Sequence, residues 1–227
     1  MGDATTPPSS SRSPRRTFLQ TLTALGAAAV LPPPASSAAQ AESPAAPWDL
    51  SWLDQLKGRH RQVFDLGTLG NSRGGPLHIV MNYVNAHRDV FNLAFPAIDA
   101  VVGIAYSAFP VNASDGMWRK YGLGERWQVK DPKTDAWAVR NIWADAEPSD
   151  PRAGETVTAL RERGVILWQC NNALHNVAQE LAAATHAPLE EVRADLVAGL
   201  LPGTKLIPAH TLLIGLAQEH GCTYERV

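Results

Sequence analysis

Short apolar runs alternate with amphipathic stretches along residues 77–227 of the chain. Runs of this kind, rich in Val, Ile and Leu, are typical of strands that are buried on both faces of a parallel sheet. The segments between them place apolar residues three and four positions apart, which predicts helices. The five predicted strands are residues 77–81, 99–105, 165–169, 205–207 and 222–225. This alternation predicts an α/β fold, a three-layer sandwich with a five-stranded, mostly parallel sheet.

The predicted helices fill the segments between these strands. They cover residues 84–95, 115–121, 155–163, 172–184, 188 to about 202, and 211–220, with a shorter helix at 48–56 and an irregular stretch that ends near 149. Ligands of open parallel sheets bind beyond the carboxyl ends of the strands. The residues that follow each strand are therefore the first candidates for a site.

The first 41 residues differ in character from the rest of the chain. Arg15 and Arg16 precede an uncharged, mildly apolar run at residues 18–31, which three prolines end. A helix of that length spans about 21 Å, less than the roughly 30 Å of a bilayer core. Ala39 and Ala41 fit the small-residue pattern of a peptidase site, so we expect a removable signal and no stable membrane anchor after cleavage.

The paired arginines, followed by Phe18 and Leu19, resemble a twin-arginine translocation signal. We therefore expect a twin-arginine translocase to export the folded protein, which would be periplasmic or secreted; the alternative is an ordinary signal peptide that carries two arginines. The resulting division is a signal peptide at 1–41, a linker and N-terminal extension at 42–76, and an α/β domain at 77–227.

Charge and cysteine content exclude several classes of protein. The 227 residues include 20 Lys and Arg against 22 Asp and Glu, a net charge of -2, so binding of nucleic acid is not expected. Two cysteines cannot build a disulfide scaffold or a four-cysteine metal site.

Cys170 is the candidate catalytic residue, because it ends a predicted strand and opens a predicted helix. The positive end of the helix dipole and unpaired N–H groups at that position favour the thiolate. A thiolate attacks sulfane sulfur or binds soft metals. The alternative is an inert cysteine in the core, which is the interpretation that we favour for Cys222.

Several polar side chains are candidates for ligand binding near Cys170. Asn171, Asn172 and His175 follow it on the same predicted helix, and His210 follows the strand at 205–207. Cys170 with both histidines could hold copper or zinc, but a hydrogen-bonded role is the more common one for a single histidine, and we predict no metal ligands.

A second group of candidates lies in the aromatic segment after the strand at 99–105. Asn112, Trp118 and Tyr121 are expected to form a pocket wall or, alternatively, an oligomer interface, where Trp is also enriched.

Three segments of the chain resemble a known family. They are GVILWQCNNAL at 164–174, LPGTKLIPA at 201–209 with QEHGCTY at 218–224, and DGMWRKYGLGE at 115–125. In this order they resemble the DsrE/DsrF-like family, the sulfur-relay superfamily with a YchN-like fold, over roughly residues 77–227. The resemblance implies that Cys170 carries a persulfide and that Asn171, Asn172 or His175 orients the sulfur donor. We also expect the protein to form a homo-oligomer.

The sequence supports three hypotheses about function. The first is an exported sulfur-handling protein that transiently holds sulfane sulfur on Cys170. The second is a non-catalytic binding module for a small ligand or metal, and the third is an accessory subunit of a complex. The sequence identifies no cofactor and leaves open whether the protein is an enzyme.

Overall fold

A parallel sheet forms the centre of the computed structural model, which describes residues 48–69 and 75–227. In spatial order its strands are β4 (Lys205–Ile207), β3 (Ile166–Cys170), β2 (Ile98–Ile104), β1 (His60–Leu66) and β5 (Thr223–Arg226). All neighbouring strands run parallel. The predicted α/β sandwich with a five-stranded sheet is therefore confirmed.

Helices lie between the strands along the described part of the chain. The α-helices are α1 (His78–Phe91), α2 (Asp115–Tyr121), α3 (Leu123–Arg126), α4 (Val157–Glu162), α5 (Asn171–Thr185), α6 (Leu189–Ala198) and α7 (His210–Glu219). Short 3₁₀ helices occupy Ser51–Gln55, Tyr106–Asn112 and Ala153–Glu155. None of the helices in the described residues is long and apolar enough to cross a membrane.

Consecutive strand residues pack into different cores on the two faces of the sheet. Val101 and Trp168 pack with Leu213 of α7, whereas Val102 and Leu167 pack with residues of α1 and α4. A third cluster joins α2, α3, α5 and α6. Helices thus cover both faces of the sheet, as a parallel sheet requires.

The prediction of a strand at residues 77–81 is wrong, because this apolar run enters helix α1. Leu77, Val80 and Val84 are buried, and their spacing of three and four residues is that of one helical face. A short apolar run is compatible with either a strand or a buried helix, and here the residues after Met81 continue the helical pattern. The other four predicted strands agree with β2 to β5 to within one residue at each end.

Strand β1 lies inside the segment 42–76, which the sequence predicted as a linker and extension. Only Val63, Phe64 and Leu66 of its seven residues are strongly apolar, so it lacks the uninterrupted run that marks β2. The sheet therefore begins before residue 77. The predicted signal residues Arg15 and Arg16 and the predicted cleavage residues Ala39 and Ala41 lie outside the described residues.

Candidate functional site

Two helices begin side by side at the carboxyl edge of the sheet. Strands β3 and β4 are parallel neighbours, with Cys170 opposite Ile207 at their carboxyl ends. Helix α5 starts directly after Cys170, and α7 starts at His210, soon after Ile207. This edge therefore collects the N–H groups at the start of both helices, which favour negative charge.

The Cys170 sulfur lies where these two helix starts meet. Its Sγ accepts the backbone N–H of Ala173 in α5 at 3.4 Å and the backbone N–H of His210 in α7 at 3.3 Å. Cys170 is a free cysteine and is only 4% exposed. The arrangement thus places two backbone N–H donors on a sulfur that is shielded from water.

The His210 ring is held within a buried network and does not point into open space. The indole N–H of Trp168 donates to His210 Nδ1 at 3.1 Å, so this nitrogen must be unprotonated. The ring proton is therefore on Nε2, which donates to Asp65 Oδ1 at 2.7 Å. Both ring nitrogens therefore have hydrogen-bond partners within the domain, Nδ1 with Trp168 and Nε2 with Asp65.

Asp65 extends this network to the outer strand β5. Its Oδ2 accepts the hydroxyl proton of Tyr224 at 2.7 Å, and this hydrogen bond raises the pKa of Tyr224. Sequence reasoning missed Asp65 and Tyr224 as members of the site. The only available signal was a carboxylate within the apolar residues Val63 to Leu66, in a segment that did not appear to be a strand.

The three candidate residues that follow Cys170 in the sequence line one cavity. Asn171, Asn172 and His175 line a shallow polar cavity of about 340 Å³ at the start of α5, together with Glu190 and Arg193. Arg193 donates to Asn171 Oδ1 at 3.0 Å and so holds that side chain.

Asn112, Trp118 and Tyr121 are instead packed inside the domain. Asn112 Nδ2 donates to the Trp168 carbonyl, the Trp118 indole N–H to the Pro110 carbonyl, and the Tyr121 hydroxyl to the Asp195 carboxylate. Asn112 Oδ1 is buried without a hydrogen-bond partner among the described residues. The structure therefore places these three side chains in the packed interior. Their contact with a ligand stays a prediction.

The two cysteines differ in their surroundings. Cys222 is buried in the core between α7 and β5, as predicted, and burial raises the pKa of its thiol to about 11. A raised pKa keeps this thiol protonated and unreactive. Within residues 48–69 and 75–227, no three His, Cys, Asp or Glu side chains are grouped so that they could hold a metal ion.

A surface cavity of about 660 Å³ is lined by residues 173–181 of α5, by residues that follow β2 and by the end of α3. Ala173, whose N–H binds the Cys170 sulfur, lines one part of it, and Tyr106, which follows β2, lines another. The cavity therefore lies at the carboxyl edge of the sheet, where ligands of this architecture bind.

Comparisons with known proteins gave a match among solved structures but none among family models or curated proteins. No family model and no curated protein matches the sequence. One solved structure that aligns with it is "Structure of Protein of Unknown Function MTH1491 from Methanobacterium thermoautotrophicum", with a TM-score of 0.39 and 16% sequence identity over 74% of this chain and 99% of that one.

Proposed function

We propose that the protein is an exported, DsrE/DsrF-like sulfur carrier in which Cys170 transiently holds sulfane sulfur as a persulfide. The observation that carries this proposal is the pair of N–H groups, from Ala173 and His210, that donate to the Cys170 sulfur. Two donors at the start of two helices stabilise the attacking thiolate, and they would also stabilise the negative charge of a bound persulfide.

The chemistry needs no cofactor and no external oxidant. The Cys170 thiolate attacks the terminal sulfur of a polysulfide chain, a new S–S bond forms at Sγ, and the next S–S bond of the donor breaks. Cysteine then carries one additional sulfur as the anion, and the donor leaves as a polysulfide that is one atom shorter with its charge of two unchanged. An acceptor thiolate removes the outer sulfur by the same exchange and restores the Cys170 thiolate.

The low exposure of Cys170 is consistent with carriage of a reactive group. At 4% exposure, the sulfur is shielded from the thiols of other proteins that would reduce a persulfide. Small donors are the ones that fit the approach beside Ala173 and Tyr106. We therefore expect loading by small sulfur compounds to be faster than loading by persulfides of other proteins.

Intact-mass measurement of the mature protein tests this proposal directly. After treatment with inorganic polysulfide, the native chain should gain about 32 Da per sulfur atom, and reductant should remove the added mass. Cys170→Ser should not gain this mass, whereas Cys222→Ser should gain as much as the native chain. Equal loading of Cys170→Ser and the native chain would refute the role of Cys170.

We also propose that Arg15 and Arg16 direct export of the folded protein through the twin-arginine translocase, with cleavage after Ala41. Replacement of both arginines by lysine should retain the precursor in the cytoplasm, and N-terminal sequencing of exported protein should begin at Glu42. Export that is unaffected by this double replacement would instead support an ordinary signal peptide.

A homo-oligomer is the state of assembly that we propose for the mature protein. Val90, Phe91 and Phe95 are 69%, 62% and 54% exposed and lie close together in sequence at the end of α1. Exposed apolar groups of this size commonly mark contact surfaces. Light scattering should give a mass above that of one chain, and Phe91→Ser should reduce it; a monomer would refute the proposal.

A non-catalytic binding module is the second candidate function, which the 660 Å³ cavity favours. In that case the protein purified from its native compartment should carry a stoichiometric small molecule, and Cys170→Ser should retain it. Native mass spectrometry of both proteins separates the two functions, because a sulfur carrier loses its added mass in the variant.

A further inference from the structure

The cavity along α5 has an apolar floor built by one face of the helix. Ala173, Val177 and Leu181 follow each other at intervals of four residues, and all three are buried. Asn176 and Glu180 come one residue earlier in each turn and are exposed at the rim. The floor thus offers an apolar strip for the aliphatic part of a ligand, with polar groups along one side.

Two aromatic side chains, Tyr106 and Trp127, also line the cavity. Tyr106 is 62% exposed and has a backbone φ of 46°, a left-handed conformation that is uncommon for a bulky residue. Its ring meets the His210 ring edge-on at a centroid distance of 6.5 Å, which fixes its place beside the buried network. Strained backbone at an exposed aromatic residue is found preferentially at sites of ligand binding.

The cavity also presents one cation and one anion that have no charged partner. Arg126 donates through Nε to the Tyr121 carbonyl, and Glu180 makes no hydrogen bond that involves its side chain within the described residues. Neither forms an ion pair with any residue in the described part of the chain, nor do they pair with each other. A guanidinium suits a carboxylate of a ligand, and a carboxylate suits an ammonium group.

We propose that the cavity along α5 binds small zwitterionic thiols and their persulfides, and that it delivers the outer sulfur of the persulfide to Cys170. The inference rests on the proposed function of Cys170 as a sulfur carrier and assigns the class of donor. Arg126 binds a ligand carboxylate, Glu180 binds its ammonium group, and the apolar strip receives the carbon chain. The cavity is lined at one point by Ala173, whose N–H donates to the Cys170 sulfur. The persulfide group of the bound ligand therefore lies at the part of the cavity nearest Cys170.

The transfer is a thiol–persulfide exchange that balances without another reagent. The Cys170 thiolate attacks the outer sulfur of R–S–SH, a bond forms between Sγ and that sulfur, and the bond between the two donor sulfurs breaks. R–S⁻ leaves with the electron pair, and the proton stays on the transferred sulfur. The N–H groups of Ala173 and His210 support the negative charge of the attacking sulfur.

Binding can be measured separately from the chemistry with S-methylglutathione, a zwitterionic thioether that cannot exchange sulfur. Calorimetric titration of the Cys170→Ser protein should show one saturable site. Arg126→Gln and Glu180→Gln should each raise Kd roughly three- to tenfold. Arg119→Gln and Glu162→Gln remove the same charges from exposed positions on α2 and α4, and they should leave Kd unchanged. Absence of a saturable site, or an equal effect of the control variants, would overturn the inference.

Transfer to Cys170 is then compared between glutathione persulfide and the uncharged persulfide of 2-mercaptoethanol. The native chain should prefer the zwitterionic donor, and Arg126→Gln and Glu180→Gln should lower the ratio of the two loading rates. Equal rates for both donors would overturn this inference and leave Cys170 as a carrier. If neither persulfide nor polysulfide loads Cys170, the proposed function falls, and the assignment of donor class falls with it.

Discussion

Addition of one methyl group at Gly103 in β2 tests whether the buried network of Trp168, His210 and Asp65 requires a residue without a side chain at this position. A Cβ at Gly103 would lie 2.4 Å from Trp168 Cζ2, 2.6 Å from Trp168 Cε2 and 2.8 Å from His210 Cε1. The optimal distance between two carbon atoms in contact is about 3.5–4.0 Å, and these separations are well below it. In Gly103→Ala, therefore, both rings must move.

The expected cost follows from two contributions. Overpacking in a well-packed core costs about 1–3 kcal/mol. Displacement of Trp168 also breaks its 3.1 Å hydrogen bond to His210, which contributes about 0.5–1.5 kcal/mol. Ala is favoured over Gly in a strand, which offsets about 0.5–1 kcal/mol. We therefore expect Gly103→Ala to lower the free energy of unfolding by about 0.5–4 kcal/mol.

Urea unfolding, followed by tryptophan fluorescence and far-UV circular dichroism, measures this change. Gly215→Ala is the matched control, because it lies within α7 and its added Cβ would meet no atom within 4 Å outside its chain neighbours and the backbone of its own helix. In a helix interior the same replacement should raise the free energy of unfolding by about 0.5–1 kcal/mol. If Gly103→Ala is as stable as the native chain, or shifts in the same direction as Gly215→Ala, the close packing over Gly103 is refuted.

Two further predictions concern the buried network and the second cysteine. Asp65→Ala leaves the His210 Nε2–H without its acceptor and should lower the free energy of unfolding by about 1–3 kcal/mol in urea titration. It should also lower the pKa of Tyr224, which the Asp65 hydrogen bond raises; exposed Asp54→Ala is the control, and equal effects of the two variants would contradict the network. Burial raises the pKa of Cys222 from 9.0 to about 11, and the unfolded chain therefore loses this proton first. The free energy of unfolding should fall as the pH rises between these two values, and Cys222→Ala should remove that part of the slope; parallel pH profiles for the variant and the native chain would contradict the burial effect.

The position of Cys170 could be predicted because its determinants are local. An apolar run of five residues predicts β3, and the amphipathic pattern that follows predicts α5. The cysteine lies between the two, so its place at a strand end and helix start needs no knowledge of the rest of the fold. The same local patterns predicted β2, β4 and β5.

Strand β1 was missed because distant contacts determine its structure. Strand β1 contains His60, Arg61, Gln62 and Asp65, yet it lies between β2 and β5 and forms ladders with both. Pairing on both sides supplies the stabilisation that its own apolar residues do not. Because strand order is a non-local property, Asp65 could not be assigned to the site from the residues around it.

The meeting of two helix starts at Cys170 is likewise a consequence of strand order. The backbone N–H of His210 contacts the Cys170 sulfur because β3 and β4 are neighbours in the sheet. The ring of His210 lies over Gly103 of β2 and contacts Asp65 on β1. His210 therefore connects the sulfur to a carboxylate that is remote in sequence. Displacement of its ring also disturbs a donor to the sulfur, so variants at Asp65 or Gly103 should slow persulfide loading of Cys170 even though neither residue touches it.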